Sequence, residues 1–330
     1  MKIKERLRHA AAALSVATIG FVAPADAYEA GAPGWEQMPG IVIGASAGTP
    51  GPGVYMFNQT FTTQTNIVGP GAPLGGAVPA HLASTAVGFL WVPGWTFLGA
   101  TYDAVLVQPI SMLDVGSPVN LQKVGAHNTY VVPGELSWKL GDSGFFVKTG
   151  LGIYVPDGST SGANGLNSIG NPWWTFQPEI FLSYLKDGWN LTAFLSEELN
   201  TKNTITNYRS GDVLHAEFTA TKTVGKWTVG PVGYYVGQIT NDTSSAFYRQ
   251  AINTNRFDIY AAGALVGYNF GPAALNVWAV DEFYAKAWGG GPPGSAVDTA
   301  SVTKGWKVFA NLSFRIWSPE EPQKRPLLFK

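Results

Sequence analysis

The sequence predicts an all-β fold, an antiparallel up-and-down β-barrel of about twelve strands that crosses a membrane. Three observations predict it. Segments of about ten residues alternate between apolar and polar side chains, tight turns and long polar loops alternate between those segments, and the N-terminus has the pattern of an export signal. Strands of this length and alternation, with short turns at one end and long loops at the other, are typical of outer-membrane barrels.

Composition agrees with a surface that partly faces lipid. Charged residues make up 13% of the 330 residues and aromatic residues another 13%, whereas soluble proteins carry about 25% charged residues. The net charge of −1 gives no reason to expect a nucleic-acid partner. The absence of cysteine excludes disulfides, thiolate catalysis and cysteine-type zinc sites.

Residues 1–27 are predicted to be a cleaved signal peptide. An apolar stretch at residues 10–22, too short to span a bilayer, follows four basic residues and precedes an A-x-A cleavage site at Ala25-Asp26-Ala27. An uncleaved anchor helix is the alternative. Beyond Tyr28 no run of about 18 apolar residues occurs, so no transmembrane helix is expected.

The clearest strand lies near the C-terminus. From Trp306 to Ile316 every even position is apolar, while the odd positions include Lys307, Asn311 and Arg315. This period of two over more than ten residues predicts a strand with one lipid-facing and one inward face, long enough to cross a membrane. The same alternation recurs at residues 145–155, 189–198 and 213–224.

The connections set the topology. Tight turns are predicted at 93–94, 141–144, 186–188, 225–226 and 271–272, and long polar loops near 63–83, 111–128, 156–172, 200–210, 241–255 and 288–302. Strict alternation places both barrel ends on the short-turn side, which is periplasmic in such barrels. The competing fold, a soluble β-sandwich, has shorter strands and no such alternation of loops.

These patterns divide the chain into four parts. A Gly/Pro-rich arm at 28–52, which forms either a periplasmic extension or a folded-in plug, is followed by the barrel at 53–317 and a Pro-rich periplasmic tail at 318–330. Tryptophans at strand ends are expected to form the two interfacial girdles. Trp173 and Trp278 fall on the polar parity and are the expected inward exceptions.

The parity opposite the apolar face identifies candidate lumen-lining residues. These are Asp103, Glu135, Lys139, Lys148, Gln177, Glu179, Glu198, His215, Glu217, Glu282, Lys307 and Arg315. Charges inside a barrel must be paired or hydrated. They either form a lattice of salt bridges that holds the barrel or line a path for a solute, and the sequence leaves both open.

No chemistry is predicted. An outer-membrane lipid hydrolase needs a serine activated by histidine, but His81 and His127 lie in predicted loops and His215 is predicted to point inward beside Glu217. No G-x-S-x-G elbow, metal-binding histidine spacing or phosphate loop occurs. We therefore expect no catalytic residue, no metal and no cofactor.

Two stretches go beyond a generic barrel. Residues 169–178 read IGNPWWTFQP and residues 206–215 read TNYRSGDVLH. Both resemble the family named for the MetA pathway of phenol degradation, whose members carry G-x-N-Y-W-T-F-E-P and Y-R-S-G-x-x-x-H stretches; Pro172 and Gln177 depart from that pattern. The resemblance spans about residues 53–317. The extracellular rim residues carried by these motifs are Asn171, Trp173, Trp174, Tyr208, Arg209 and Asp212.

The resemblance implies passive uptake of small hydrophobic or aromatic compounds across the outer membrane of a Gram-negative bacterium. The expected partners are those solutes, outer-membrane lipid and the barrel-assembly machinery. The alternatives are a general small-solute porin, a lipid hydrolase and a structural barrel with a closed lumen.

Overall fold

A computed structural model describes residues 25–26, 35–75, 78–161, 168–250, 256–290 and 298–319. Within these residues, twelve long antiparallel strands form one closed barrel. In chain order they are β1 Gly53–Val68, β2 Val78–Val92, β3 Ala100–Val115, β4 Thr129–Lys139, β5 Phe145–Val155, β6 Thr175–Tyr184, β7 Trp189–Asn200, β8 Val213–Val224, β9 Trp227–Gln238, β10 Arg256–Asn269, β11 Ala273–Trp288 and β12 Ala300–Trp317. The predicted all-β, up-and-down barrel is confirmed.

The barrel closes between its terminal strands. Strand β12 pairs antiparallel with β1 from Val302 opposite Val68 to Trp317 opposite Val54. Every other strand pairs with its neighbours in sequence, so no edge is left unpaired. Two short segments, Thr96–Phe97 and Leu121–Ala126, add pairs to β3 at its opposite ends, and the backbone of Ala25–Asp26 pairs with the start of β12.

Short and long connections alternate around the barrel. The short ones join β2 to β3, β4 to β5, β6 to β7, β8 to β9 and β10 to β11, and both Gly53 and Trp317 lie at the same end as these turns. The predicted loops at 63–83 and 111–128 are longer than the loops in the structure. Strands β1, β2 and β3 continue to Val68, from Val78 and to Val115. In β1 the inward positions of this extension include the buried residues Thr63 and Thr65, so the inward face is polar there and the apolar signal is lost although the strand continues.

The outer surface carries an apolar band. Side chains such as Leu106, Leu151, Leu195, Phe218 and Val266 point outward and are exposed. Exposed tryptophans lie near the strand ends: Trp91, Trp95, Trp189, Trp227 and Trp317 at the short-turn end, and Trp174 and Trp306 at the other. This arrangement is the lipid-facing belt with aromatic girdles that a membrane barrel needs. No helix in the described residues is long and apolar enough to cross a membrane.

Local irregularities bend the wall. The pairing of β4 with β5 shifts register between Val131 and Glu135, where Pro133 and Gly134 interrupt the ladder. Since proline has no N–H to donate, a bulge is one of the positions at which a strand tolerates it. The Tyr102 hydroxyl donates to the Pro133 carbonyl oxygen (2.5 Å), which gives the interrupted strand an additional partner.

Candidate functional site: the occupied lumen

The barrel interior is occupied by the chain's own N-terminal part. Residues 35–52, here called the lumenal segment, run from the long-loop end of the barrel through the lumen to Gly53 at the short-turn end. Trp35, Met38, Ile43 and Ala47 are buried there. Of the two sequence-based alternatives for residues 28–52, the described part has the folded-in position. Residues 28–34 lie outside the described residues.

The lumenal segment has no regular secondary structure, so its backbone N–H groups need partners from the wall. Two carboxylates supply most of them. Glu198 on β7 accepts hydrogen bonds from the N–H groups of Glu36 (2.9 Å) and Gln37 (2.8 Å). Glu217 on the adjacent strand β8 accepts from the N–H groups of Gly40 (2.9 Å) and Val42 (2.9 Å).

The side chain of Gln37 completes this contact. Its amide nitrogen donates to Glu217 (3.2 Å), and its amide oxygen accepts from the Gln177 side chain on β6 (2.5 Å). The imidazole of His215 lies 2.8 Å from Glu198 and is fully buried. Hydrogen bonds to charged acceptors are roughly twice as strong as neutral ones, so these two carboxylates are the main anchors of the segment.

Hydroxyl groups hold the remainder of the segment as it approaches Gly53. The N–H of Gly44 donates to the Thr219 hydroxyl (2.9 Å), and the N–H of Ala47 donates to the Ser183 hydroxyl (2.8 Å). The Thr49 hydroxyl donates to Asp103 on β3 (2.6 Å). The N–H groups of the segment are therefore attached to β6, β7 and β8, and further hydrogen bonds reach it from other strands, among them those of Gln59 on β1 and Ser137 on β4 to its carbonyl oxygens.

Aromatic side chains of the barrel wall pack against the turn at Gly40. The Trp278 indole N–H donates to the Gly40 carbonyl oxygen (2.9 Å), and the indole stacks on Phe309 with 5.2 Å between ring centroids. Gly40 has a φ of +91°, and an added Cβ would lie 3.0 Å from the Tyr234 ring. Both the backbone conformation and the close approach therefore require glycine at this position.

Two lysines neutralise carboxylates elsewhere in the lumen. Lys148 on β5 contacts Asp103 (2.9 Å) and Glu135 (3.2 Å). Lys307 on β12 contacts Glu282 (2.8 Å), and its ammonium lies 4.8 Å from the centre of the Trp35 ring of the lumenal segment. All these groups are buried, so each lysine makes the neighbouring carboxylates tolerable inside the barrel.

The opposite half of the lumen is open. A cavity of about 690 Å³ lies between the lumenal segment and the inner faces of β1, β2 and β3, reaching from Tyr55 near one end of β1 to Ile67 near the other, and residues of β4, β5, β6 and β12 also contribute to its lining. The lining residues of these three strands carry no charge. They are Tyr55, Met56, Phe57, Gln59, Phe61, Thr63, Thr65 and Ile67 on β1, Ala80, Leu82, Ser84 and Leu90 on β2, and Val105, Val107, Pro109, Ser111, Leu113 and Val115 on β3.

The lumenal segment also contributes apolar side chains to this cavity. Met38, Ile41 and Val42 line it, while the N–H groups of the same stretch are turned toward Glu217. Charged side chains also line the cavity. They are Glu36, Glu135, Lys148, Glu179 and Lys307, of which Glu135, Lys148 and Lys307 are engaged in the ion pairs described above.

The structure separates the sequence-based lumen candidates into two groups. Buried inside the barrel are Asp103, Glu135, Lys148, Gln177, Glu179, Glu198, His215, Glu217, Glu282 and Lys307. Lys139 and Arg315 are not enclosed. Lys139 is 59% exposed and lies beside Asp142 at the β4–β5 turn, and Arg315 is exposed at the short-turn end of β12. Side-chain parity assigned both inward, but the strands end there and leave these side chains in solvent.

The motif residues lie where two long loops meet at the long-loop end of the barrel. Asn171, Trp173, Tyr208 and Asp212 are buried, and Trp174 is exposed. Arg209 donates to Asp212 (2.7 Å), and the Tyr208 hydroxyl donates to Asp242 (2.6 Å) in the following loop. The first contact fixes the loop between β7 and β8, and the second binds that loop to the one between β9 and β10. Trp278, like Trp173, is buried inside the barrel as its parity indicated.

His127 lies beside the lumenal segment, just before β4. Its Nε2 is 3.6 Å from the Glu36 carboxyl group, and burial lowers the pKa of His127 to about 4. The imidazole is therefore neutral at pH 7. Within the described residues no group of three or more histidine and acidic side chains is arranged to hold a metal ion.

Comparison with solved structures shows the same architecture. The COG4313 outer membrane channel from Pseudomonas putida F1 superposes with a TM-score of 0.66 at 10% identity, covering 82% of this chain and 98% of that one. The β domain of the Bordetella autotransporter BrkA (0.42, 16% identity, 80% and 100% covered) and a Pseudomonas aeruginosa FadL homologue (0.39, 8%, 80% and 90%) are also similar.

The fold is thus that of bacterial outer-membrane barrels, and the apolar band and girdles described above place this chain in that membrane. A search of curated proteins finds no match. The profile of one family, described as "Putative MetA-pathway of phenol degradation", matches residues 57–296. The match spans β1 to β11 and contains both motif stretches, and the chain therefore belongs to this family.

Proposed function

We propose that the protein is a passive outer-membrane channel for small hydrophobic or aromatic compounds, with no chemistry of its own. The observation that carries this proposal is the cavity beside the lumenal segment, whose β1–β3 wall carries no charged side chain. Its volume of about 690 Å³ lies within the range of small-molecule sites, about 300–1,000 Å³. Apolar walls favour entry of a solute that gains by leaving water.

The same lining disfavours ions and sugars. An ion that enters must lose much of its hydration, and uncharged walls of threonine, valine and leucine replace little of it. Glu198 and Glu217 are occupied by backbone N–H groups, and Asp103, Glu135 and Glu282 are paired with lysines, so these carboxylates are not free to attract cations. This distribution supports selective passage of apolar solutes over the general porin alternative.

Two further facts support the proposal. The barrel similar in fold is named an outer membrane channel, and the family to which this chain belongs is named for phenol degradation. The sequence left two roles open for the buried charges, a lattice of salt bridges or a path for the solute. We assign them to the lattice and to the anchoring of the lumenal segment, and we assign the solute path to the uncharged wall of β1–β3.

The test is flux through the refolded protein in liposomes, comparing toluene, phenol, a small sugar and sodium ions. Leu82 on the cavity wall offers a matched pair: we expect Leu82→Trp to slow aromatic entry several-fold and Leu82→Ala to preserve or raise it. Val124→Trp, at an exposed position outside the barrel wall, is the control for substitution by a large ring. Equal passage of sugar and ions would identify a porin, and passage of no solute would identify a closed barrel.

A further inference from the structure

The outward face of β1 departs from the apolar exterior of the barrel. Its middle positions are Asn58, Thr60, Thr62 and Gln64, which together with Thr85 on β2 we call the polar stripe. Thr60, Thr62, Gln64 and Thr85 are exposed. On the adjacent strand β12, the residues paired with Asn58, Thr60, Thr62 and Gln64 are Leu312, Ala310, Val308 and Trp306. The polar stripe therefore lies at the same height on the barrel as apolar side chains of the neighbouring strand.

The girdle tryptophans fix the depth of the stripe. Val54 on β1 pairs with Trp317 on one side and Trp91 on the other, and Gln64 pairs with Trp306. The ten steps from Val54 to Gln64 correspond to roughly 33 Å of strand, or about 25 Å of membrane depth at the usual barrel tilt. That is the height of the apolar band, so Asn58, Thr60 and Thr62 lie within the hydrocarbon layer.

The stripe is only partly satisfied by its own hydrogen bonds. The Asn58 amide donates to the Thr85 hydroxyl (3.1 Å) and to the Ala86 carbonyl oxygen (3.2 Å), and the Thr60 hydroxyl lies 3.1 Å from the Asn58 oxygen and 3.2 Å from the Thr85 hydroxyl. The side chains of Thr62 and Gln64 make no hydrogen bond within the part of the chain that the structure describes. Lipid tails offer no hydrogen-bond partner, so the Thr62 hydroxyl, which lies within the hydrocarbon layer, calls for one from outside the barrel.

We propose that the polar stripe is the interface with a second copy of this chain, packed beside it in the same membrane about a twofold axis. A twofold interface must be self-complementary. The stripe is uncharged, and its amide and hydroxyl side chains each donate as well as accept, so two copies satisfy one another. A charged partner would leave its own charge unpaired in lipid. Ala83 and Ala310 beside Thr62 and Thr60 permit close approach of two walls.

The small area of the interface indicates how stable the dimer is. The face that contains the stripe, taken as β12, β1 and β2 at about 4.8 Å per strand over the full 25 Å or so of membrane, gives at most roughly 360 Å² per copy. Standard protein interfaces bury about 800 Å² per partner. The dimer is therefore reversible and depends on the protein-to-lipid ratio, and it must be measured in membranes and not in excess detergent.

Cysteine cross-linking provides the first test, because the chain contains no cysteine of its own. Thr62→Cys is oxidised in isolated outer membranes and compared with Leu195→Cys, an outward position on β7, six strands around the barrel. We expect a disulfide-linked homodimer for Thr62→Cys at a yield at least several-fold above Leu195→Cys. Equal yields, or an adduct of Thr62→Cys with a different protein, would overturn the proposal.

A second test removes the polar groups. The triple variant Asn58→Leu, Thr60→Val, Thr62→Val fits the lipid-facing positions better than the native residues, so its folding is checked by heat-modifiable migration on gels. Native mass spectrometry in lipid nanodiscs at matched protein-to-lipid ratios is expected to show at least a tenfold drop in the dimer-to-monomer ratio. An unchanged ratio, or a wild-type protein that is monomeric at every ratio, would refute the interface.

Discussion

Glu217→Gln is the sharpest test of how the lumenal segment is held. Glu217 accepts three hydrogen bonds from that segment, from the backbone N–H groups of Gly40 and Val42 and from the Gln37 amide. Glutamine keeps the size of the side chain, but it replaces one acceptor oxygen by an NH₂ group that faces an N–H donor. At least one hydrogen bond is lost and the others lose their charge assistance.

The magnitude follows from these contacts. A hydrogen bond to a charged group contributes about 1.5–3 kcal/mol, compared with about 1 kcal/mol for a neutral one. Loss of one bond and weakening of the others amounts to about 3 kcal/mol. Since each 1.4 kcal/mol is a factor of ten, the ratio of undocked to docked segment should rise about 10²-fold.

Single-channel recording in planar bilayers measures this change. We expect openings to ion-conducting states to be about 10²-fold more frequent in Glu217→Gln than in the wild type, because an undocked segment uncovers the carboxylates of β6–β8. Glu179→Gln is the matched control, since Glu179 also lies in the lumen but accepts from the Tyr130 hydroxyl (2.9 Å) and not from the segment. A folded Glu217→Gln barrel with wild-type conductance would refute the anchoring role.

Three further outcomes are expected. Lys148→Met leaves two buried carboxylates unpaired and should cost about 3–5 kcal/mol of folding free energy in urea titrations, whereas Lys139→Met, at an exposed pair, should cost less than about 0.5 kcal/mol. Gly40→Val forces a side chain against Tyr234 at a positive φ and should increase ion conductance without unfolding the barrel in gel-shift assays. His127, with its pKa lowered to about 4, should keep a neutral imidazole NMR spectrum down to about pH 5. Because the lowered pKa favours the neutral form in the folded state, His127 should make folding less favourable as pH falls from about 6.5 toward 4, and a midpoint near 6.5 in the folded protein would contradict its burial.

The strands were predictable because alternation is a local property. In β12 the inward and outward sets from Trp306 onward can be counted directly, and the buried Lys307 follows from the same count. Side-chain parity no longer predicts burial at the ends of a strand. Lys139 and Arg315 have inward parity, but they lie at strand ends where solvent replaces the lumen. Parity alone contains no information about that boundary.

The position of the lumenal segment could not be read from sequence for a different reason. Its contacts are made largely by backbone N–H groups, which every residue except proline has, so Glu36, Gln37 and Val42 carry no periodic signal. The barrel strands did carry a sequence signal for its position. Glu198 and Glu217 are inward carboxylates with no lysine opposite them in the strand register. An excess of inward acids over bases indicates acceptors in need of donors, and an irregular N-terminal arm is a source of donors.

The way in which the lumenal segment is held explains both the acidic inner face of β6–β8 and the uncharged side of the cavity. An irregular segment inside a barrel must satisfy its backbone, and here it does so by turning its N–H groups to β6–β8. The side chains of Met38, Ile41 and Val42 then remain for the other side, where they face the uncharged β1–β3 wall. The segment thus covers the acidic half of the lumen and supplies one wall of an apolar passage, so a barrel with many buried carboxylates can still favour apolar solutes over ions.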